Sequence, residues 1–74
     1  MQISYNRLWK LLIDKNMNKS ELRDRVHMSS STLAKLSKNQ EVTMDVLMRI
    51  CEELDCRIED VMEFIDDRER SREV

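Results

Sequence analysis

The sequence predicts an all-α domain, a compact bundle of five short helices, and three observations predict it. The 74 residues include no glycine and no proline, so the turn punctuation of an all-β chain is missing. Leu, Met, Lys, Glu and Arg dominate, and all are good helix formers. Apolar residues recur at i, i+3, i+4 and i+7 in successive windows. A chain of this length is one small domain that buries only about 60% of its unfolded surface, so its core is thin. The domain is expected over residues 1–66, with the polar residues 67–74 as a tail.

The first helix is expected from about Ser4, its cap, to Lys15, with Tyr5, Leu8, Trp9 and Leu12 on one stripe. The second starts at Asn18. Asn18-Lys19-Ser20-Glu21 is a capping box, a capping side chain with Glu three residues on, and Leu22 and Val26 form the apolar stripe. The third opens at Ser29, runs to about Ser37 and buries Leu33 and Leu36. The fourth begins at Thr43, has Asp45 in its first turn, and carries Leu47, Ile50, Cys51 and Leu54 at helical spacing. The fifth is read from Ile58, Val61, Met62 and Ile65 on the same spacing, although Arg57 offers it no capping side chain.

The helices end at Asn16, His27, Asn39 and Asp55. Asn, Asp and His are the non-glycine residues most often found in the left-handed region. Each helix end therefore uses a substitute for glycine. That reading assigns the single histidine, His27, to a turn, at a cost of order 1 kcal/mol relative to Gly.

The net charge is −2, but it is unevenly spread. Residues 1–40 hold eight basic and three acidic side chains, a surplus of five positive; residues 41–74 hold five basic and twelve acidic, a surplus of seven negative. Such asymmetry suits one face for a polyanion and another held away from it. The longest apolar run, Leu11-Leu12-Ile13, is far too short for a bilayer, and Met1-Gln2-Ile3-Ser4 shows no signal-peptide pattern. A cytoplasmic chain with reduced Cys51 and Cys56 is the expectation.

Two short helices joined by about three residues form a helix-turn-helix. "NKSELRDRVHMSSSTLAKLSKN", Asn18 to Asn39, resembles the helix-turn-helix of the Cro and phage-repressor family. "VTMDVLMRICEELDC" resembles that family's fourth helix and the step into its fifth, and "ISYNRLWKLLIDKNM" resembles the first helix of small bacterial members. The resemblance covers roughly residues 3–65 and implies a lambda-repressor-like DNA-binding domain, with the third helix entering the major groove of double-stranded DNA.

It also implies roles for individual residues. Ser30, Ser31, Thr32 and Lys35 match positions that face base edges or the flanking backbone. Ser29 matches the cap of the recognition helix. Lys19 matches a phosphate position, and Lys38 and Asn39 match a loop that often touches phosphate. Leu22, Val26, Met28, Leu33 and Leu36 match the apolar positions that lock the two helices together. Arg23 stands where many members have a small residue, so it is expected to point outward, to phosphate.

The residues support DNA binding in their own right. Lys10, Lys19, Arg23, Lys35 and Lys38 are suitable phosphate partners, and the amides at the serine run suit an anion. The base-reading side is thin, because Arg, Asn and Gln make the strong bidentate contacts and this helix offers short hydroxyls and Lys35. Modest intrinsic specificity is expected, helped by DNA shape or dimer spacing. Phe64 lies one position off the fifth stripe, which suggests a homodimer contact with Met62 and Ile65.

Other chemistry finds little support. Cys51, Cys56 and one distant His do not match a zinc spacing, and a chain without glycine has no Gly-rich phosphate loop. The carboxylates show no acid–base constellation, so no enzyme activity, cofactor, metal or small-molecule ligand is inferred. A protein-interaction module with the same fold, such as an anti-repressor or antitoxin-like subunit, is the alternative reading. A thiol or metal sensor is a third.

Overall fold

The computed structural model describes residues 1–66. The expected tail, 67–74, lies outside the described residues. The chain runs β1 (Gln2–Ser4), α1 (Asn6–Asp14), α2 (Lys19–Val26), α3 (Ser30–Ser37), α4 (Met44–Leu54), a 3-10 turn (Ile58–Asp60) and β2 (Glu63–Ile65). Four of the five expected helices are present, close to their expected bounds.

The fifth helix is replaced by the 3-10 turn and β2, which pairs antiparallel with β1 in the register Gln2↔Ile65, Ile3↔Phe64 and Ser4↔Glu63. The backbone N–H of Arg57 donates to Oδ2 of Asp60 at 3.1 Å, so this helix start closes as a single tight turn. Val61, Phe64 and Ile65, β-branched or aromatic, then favour extended chain. Arg7 holds the turn and β2 against α1, with Nε on Glu63 Oε2 at 2.5 Å and Nη1 on the Glu59 carbonyl at 3.3 Å. Strand pairing also moves the start of α1. Ser4 is buried as the last residue of β1, and its Oγ accepts from Asn6 N at 3.3 Å, ahead of the helix instead of capping it at N3.

The other caps match the sequence reading. Asn18 Oδ1 accepts from Glu21 N at 2.8 Å, and Glu21 Oε1 accepts from Asn18 N at 3.3 Å. Ser29 and Thr43 cap α3 and α4 through Thr32 N and Val46 N. Asn16, His27, Asn39 and Asp55 all have φ between 50° and 60°. Each is followed by an N–H that reaches back over the helix end: Met17 to Leu12, Met28 to Arg23, Gln40 to Lys35 and Cys56 to Cys51. This is the Schellman closure, made four times without glycine. Met17, Met28 and Cys56 turn inward after the left-handed residue and pack on the core.

That core centres on Leu8, Leu22, Leu36, Ile50 and Val61, none of them measurably exposed, with Tyr5 at 1%. Trp9 and Leu33 are half-buried at its margin. Fully burying one such aliphatic side chain contributes about 1.5–3 kcal/mol.

Candidate nucleic-acid interface

The turn between α2 and α3 is held from three sides. Met28, buried at 8%, fills the space behind it. His27 provides the left-handed step, and its N–H and that of Met28 both reach the Arg23 carbonyl. Arg49 of α4 donates from Nη1 to the carbonyls of Val26 at 3.3 Å and His27 at 3.4 Å. It also pairs with Asp45 one helical turn back, with Nε at 3.0 Å from Oδ2. A cation on the last carbonyls of a helix satisfies groups that the helix leaves open and suits its dipole. Arg49 was missed in the sequence. The only local signal was its i, i+4 spacing from Asp45, which is common on solvated faces.

This frame presents the N-terminal turn of α3. Ser30 and Ser31 are exposed, Thr32 is half-buried, and Lys35 is exposed one turn further on. The hydroxyls are not equivalent. Ser29 Oγ takes the Thr32 N–H at 3.1 Å and lies 3.0 Å from Ser31 Oγ and 2.9 Å from Thr32 Oγ1, so these three hydroxyls are linked around the cap. Ser30 is bonded separately, and its Oγ accepts from Arg23 Nη1 at 3.2 Å. Arg23 Nε is held at 3.3 Å by Asp24.

The basic residues divide into groups. Lys19, at the start of α2, reaches across to the end of α3. Its Nζ lies 4.2 Å from the centroid of Trp9 and 3.3 Å from Ser37 Oγ. Lys38 is exposed at the C-terminal cap of α3. Asn39, beside it, turns its Oδ1 inward to the N–H of Tyr5. Lys10 is not brought to the α3 tip by any of these contacts; it lines a hollow with Arg7, Leu11, Asp14 and Asp60 on the side of α1 that meets the 3-10 turn. Met62, Phe64 and Ile65, expected on a helix, stand on or next to β2.

Cys51 and Cys56 are both half-buried free thiols. Burial pushes the Cys56 thiol up to about 11, with Cys51 and Asp60 adding to the effect, and pushes Cys51 up as well. No group of three or more His, Cys, Asp or Glu among the described residues is arranged to hold a metal ion. No described helix is long and apolar enough to cross a membrane.

A capped helix that offers its first turn to solvent, locked at a tight bend to a second helix and surrounded by cations, defines a helix-turn-helix DNA-binding domain. The chain belongs to the Cro/C1-type HTH DNA-binding domain family, whose sequence model matches residues 7–67. It is similar to the crystal structure of transcriptional regulator VanUg, form II. The identity is 52% and the TM-score 0.86, over 89% of this chain and 88% of that one. No curated protein matches it significantly. The chain is thus a DNA-binding transcription regulator of the Cro/C1 type.

Proposed function

We propose that the protein is a small repressor-type regulator that lays the first turn of α3 into the major groove and binds as a homodimer. The observation that carries this reading is the exposed turn Ser30–Ser31 on a helix whose cap and bend are fully bonded, so that it is held ready for a duplex. Lys19, Lys38 and the amides of Ser29 to Ser31 supply backbone contacts; the Thr32 amide, expected to join them, is spent on the Ser29 cap. Ser30, Ser31, Thr32 and Lys35 face the groove. Asn39 acts on this interface by fixing the loop in which Lys38 stands, and Lys10 extends the basic surface away from the tip.

The homodimer reading rests on β2. Phe64 is 65% exposed, and among the described residues β2 pairs with β1 alone. Phe64 borders an apolar groove of about 630 Å³ that also takes in Ile3, Val42, Met44 and Ile58. Met62 and Ile65 are half-buried beside it. A two-fold dimer would place two α3 tips on half-sites roughly 34–36 Å apart.

The experiment is selection of bound sequences from random DNA at low and moderate salt. The expected result is an enriched site with two related halves about one helical turn apart. The affinity for it should fall with a log–log salt slope of roughly −4 to −5 per protomer, as about four to six phosphate contacts require. Recovery of random sequence only, or affinity indifferent to salt, would refute the proposal.

A further inference from the structure

We infer that Arg23, on α2, is a base-reading residue whose guanidinium recognises a guanine in the major groove next to the α3 tip. This inference rests on the DNA-binding reading above. It differs from the phosphate role expected for Arg23 from the sequence.

The argument starts from what α3 lacks. Strong discrimination between base pairs needs side chains that make two parallel hydrogen bonds to one base edge, chiefly Arg on guanine and Asn or Gln on adenine. The N-terminal turns of α3 carry Ser30, Ser31, Thr32, Ala34 and Lys35, with none of these types. Two of its hydroxyls, those of Ser31 and Thr32, are already engaged with the Ser29 cap.

Arg23 brings a guanidinium to this place from the neighbouring helix. Nη1 donates to Ser30 Oγ, on the first residue of α3, and Nε donates to Asp24. A guanidinium has five N–H donors. These two bonds use one on Nε and one on Nη1, so the second N–H of Nη1 and both of Nη2 are not taken by them. Guanine O6 and N7 need two such donors side by side. The side chain is 33% exposed and gripped at both ends, so much of its rotamer freedom is spent before DNA arrives.

Arg23 lies in the last turn of α2, where a cation suits that helix's dipole, and from there its guanidinium reaches the first residue of α3. A phosphate contact could be made from a flank by a flexible lysine, such as Lys38. A pinned, planar fork at the tip of the inserted helix suits a base edge.

The test compares wild type, Arg23→Lys and Arg23→Ala on the selected site and on versions with each base at every selected guanine, across a salt series. Lysine keeps the charge and loses the fork. The expected outcome is that one guanine per half-site matters to the wild type, and that both variants lose that preference. Each variant should lose roughly 5- to 150-fold on the guanine site and little on the other three. Two outcomes would overturn the inference. In one, Arg23→Lys behaves as wild type, while Arg23→Ala weakens all four sites equally and reduces the salt slope by about 1; that is the signature of a phosphate contact. In the other, no guanine preference responds to Arg23 at all, which removes this inference and leaves DNA binding intact. A wild type that selects no sequence removes both. Melting of the free variants, followed by circular dichroism, confirms that each is folded when assayed.

Discussion

The backbone N–H of Tyr5 donates to Oδ1 of Asn39 at 3.1 Å, and the Tyr5 hydroxyl donates to the carbonyl of Gln40 at 2.8 Å. The loop that ends the recognition helix is thereby tied to the start of α1, more than thirty residues earlier in the chain. Asn39 has two tasks at once. Its backbone takes the left-handed conformation at φ 57°, and its side chain accepts the tether. The two tasks can be separated by substitution.

Asn39→Gly keeps the left-handed backbone without strain and loses the tether, so its stability should stay within about 1 kcal/mol of wild type. Asn39→Ala loses both and should cost roughly 2–3 kcal/mol. Urea unfolding of the two variants measures the difference. Equal losses would mean that the backbone conformation contributes nothing.

His27 has φ 60° and accepts Arg49 on its carbonyl, while its side chain is exposed. His27→Gly should therefore stabilise the fold by about 0.5–1 kcal/mol, seen as a higher melting temperature. A clear fall in melting temperature would show that the imidazole has a role beyond the turn.

Lys19 sits over Trp9, the only tryptophan in the chain. Trp9 emission should therefore change when DNA draws the ammonium away. Lys19→Ala should shift the emission of the free protein and weaken binding to all sequences alike. Its salt slope should be shallower by about 1. An emission unchanged by DNA in the wild type would argue that Lys19 stays on the ring and does not reach phosphate.

Phe64 provides the check on assembly. Sedimentation of the wild type should show mass rising with concentration, and Phe64→Glu should remain monomeric and bind a full two-half site more weakly than wild type does. A wild-type mass that stays monomeric at every concentration, with and without DNA, would rule out the dimer.

The Cys56 thiol, raised by burial to about 11, should react slowly with iodoacetamide near neutral pH, because thiolate is the reactive form. In the unfolded chain it ionises near its ordinary value of 9.0. The folded state therefore holds the proton where the unfolded state has lost it. The resulting stability is fully present below about pH 9 and is lost as the pH rises towards 11. Urea midpoints across that range, for wild type and Cys56→Ser, should differ in slope. Parallel curves would show that the thiol is not protected.

Much of this molecule could be read from short windows. The Asn18–Glu21 capping box, the Ser29 and Thr43 caps, and all four left-handed residues depend on neighbours three to five positions away. Sequence patterns carry that information directly. The same holds for the buried stripe of α4 and for the identity of the α2–α3 bend.

The window from Ile58 to Ile65 shows where such reading stops. Its apolar spacing satisfies a helix, yet β2 forms because Gln2–Ser4 lies alongside, some sixty residues earlier. A three-residue strand is too short to show its own period, and the partner that stabilises it is invisible in any local window. The positions of Arg23 on Ser30, Arg49 on the end of α2, and Lys19 between Trp9 and Ser37 have the same origin. Backbone conformation within a helix or turn is set by nearest neighbours. Where a long charged side chain comes to rest depends on which elements packing has brought within its reach.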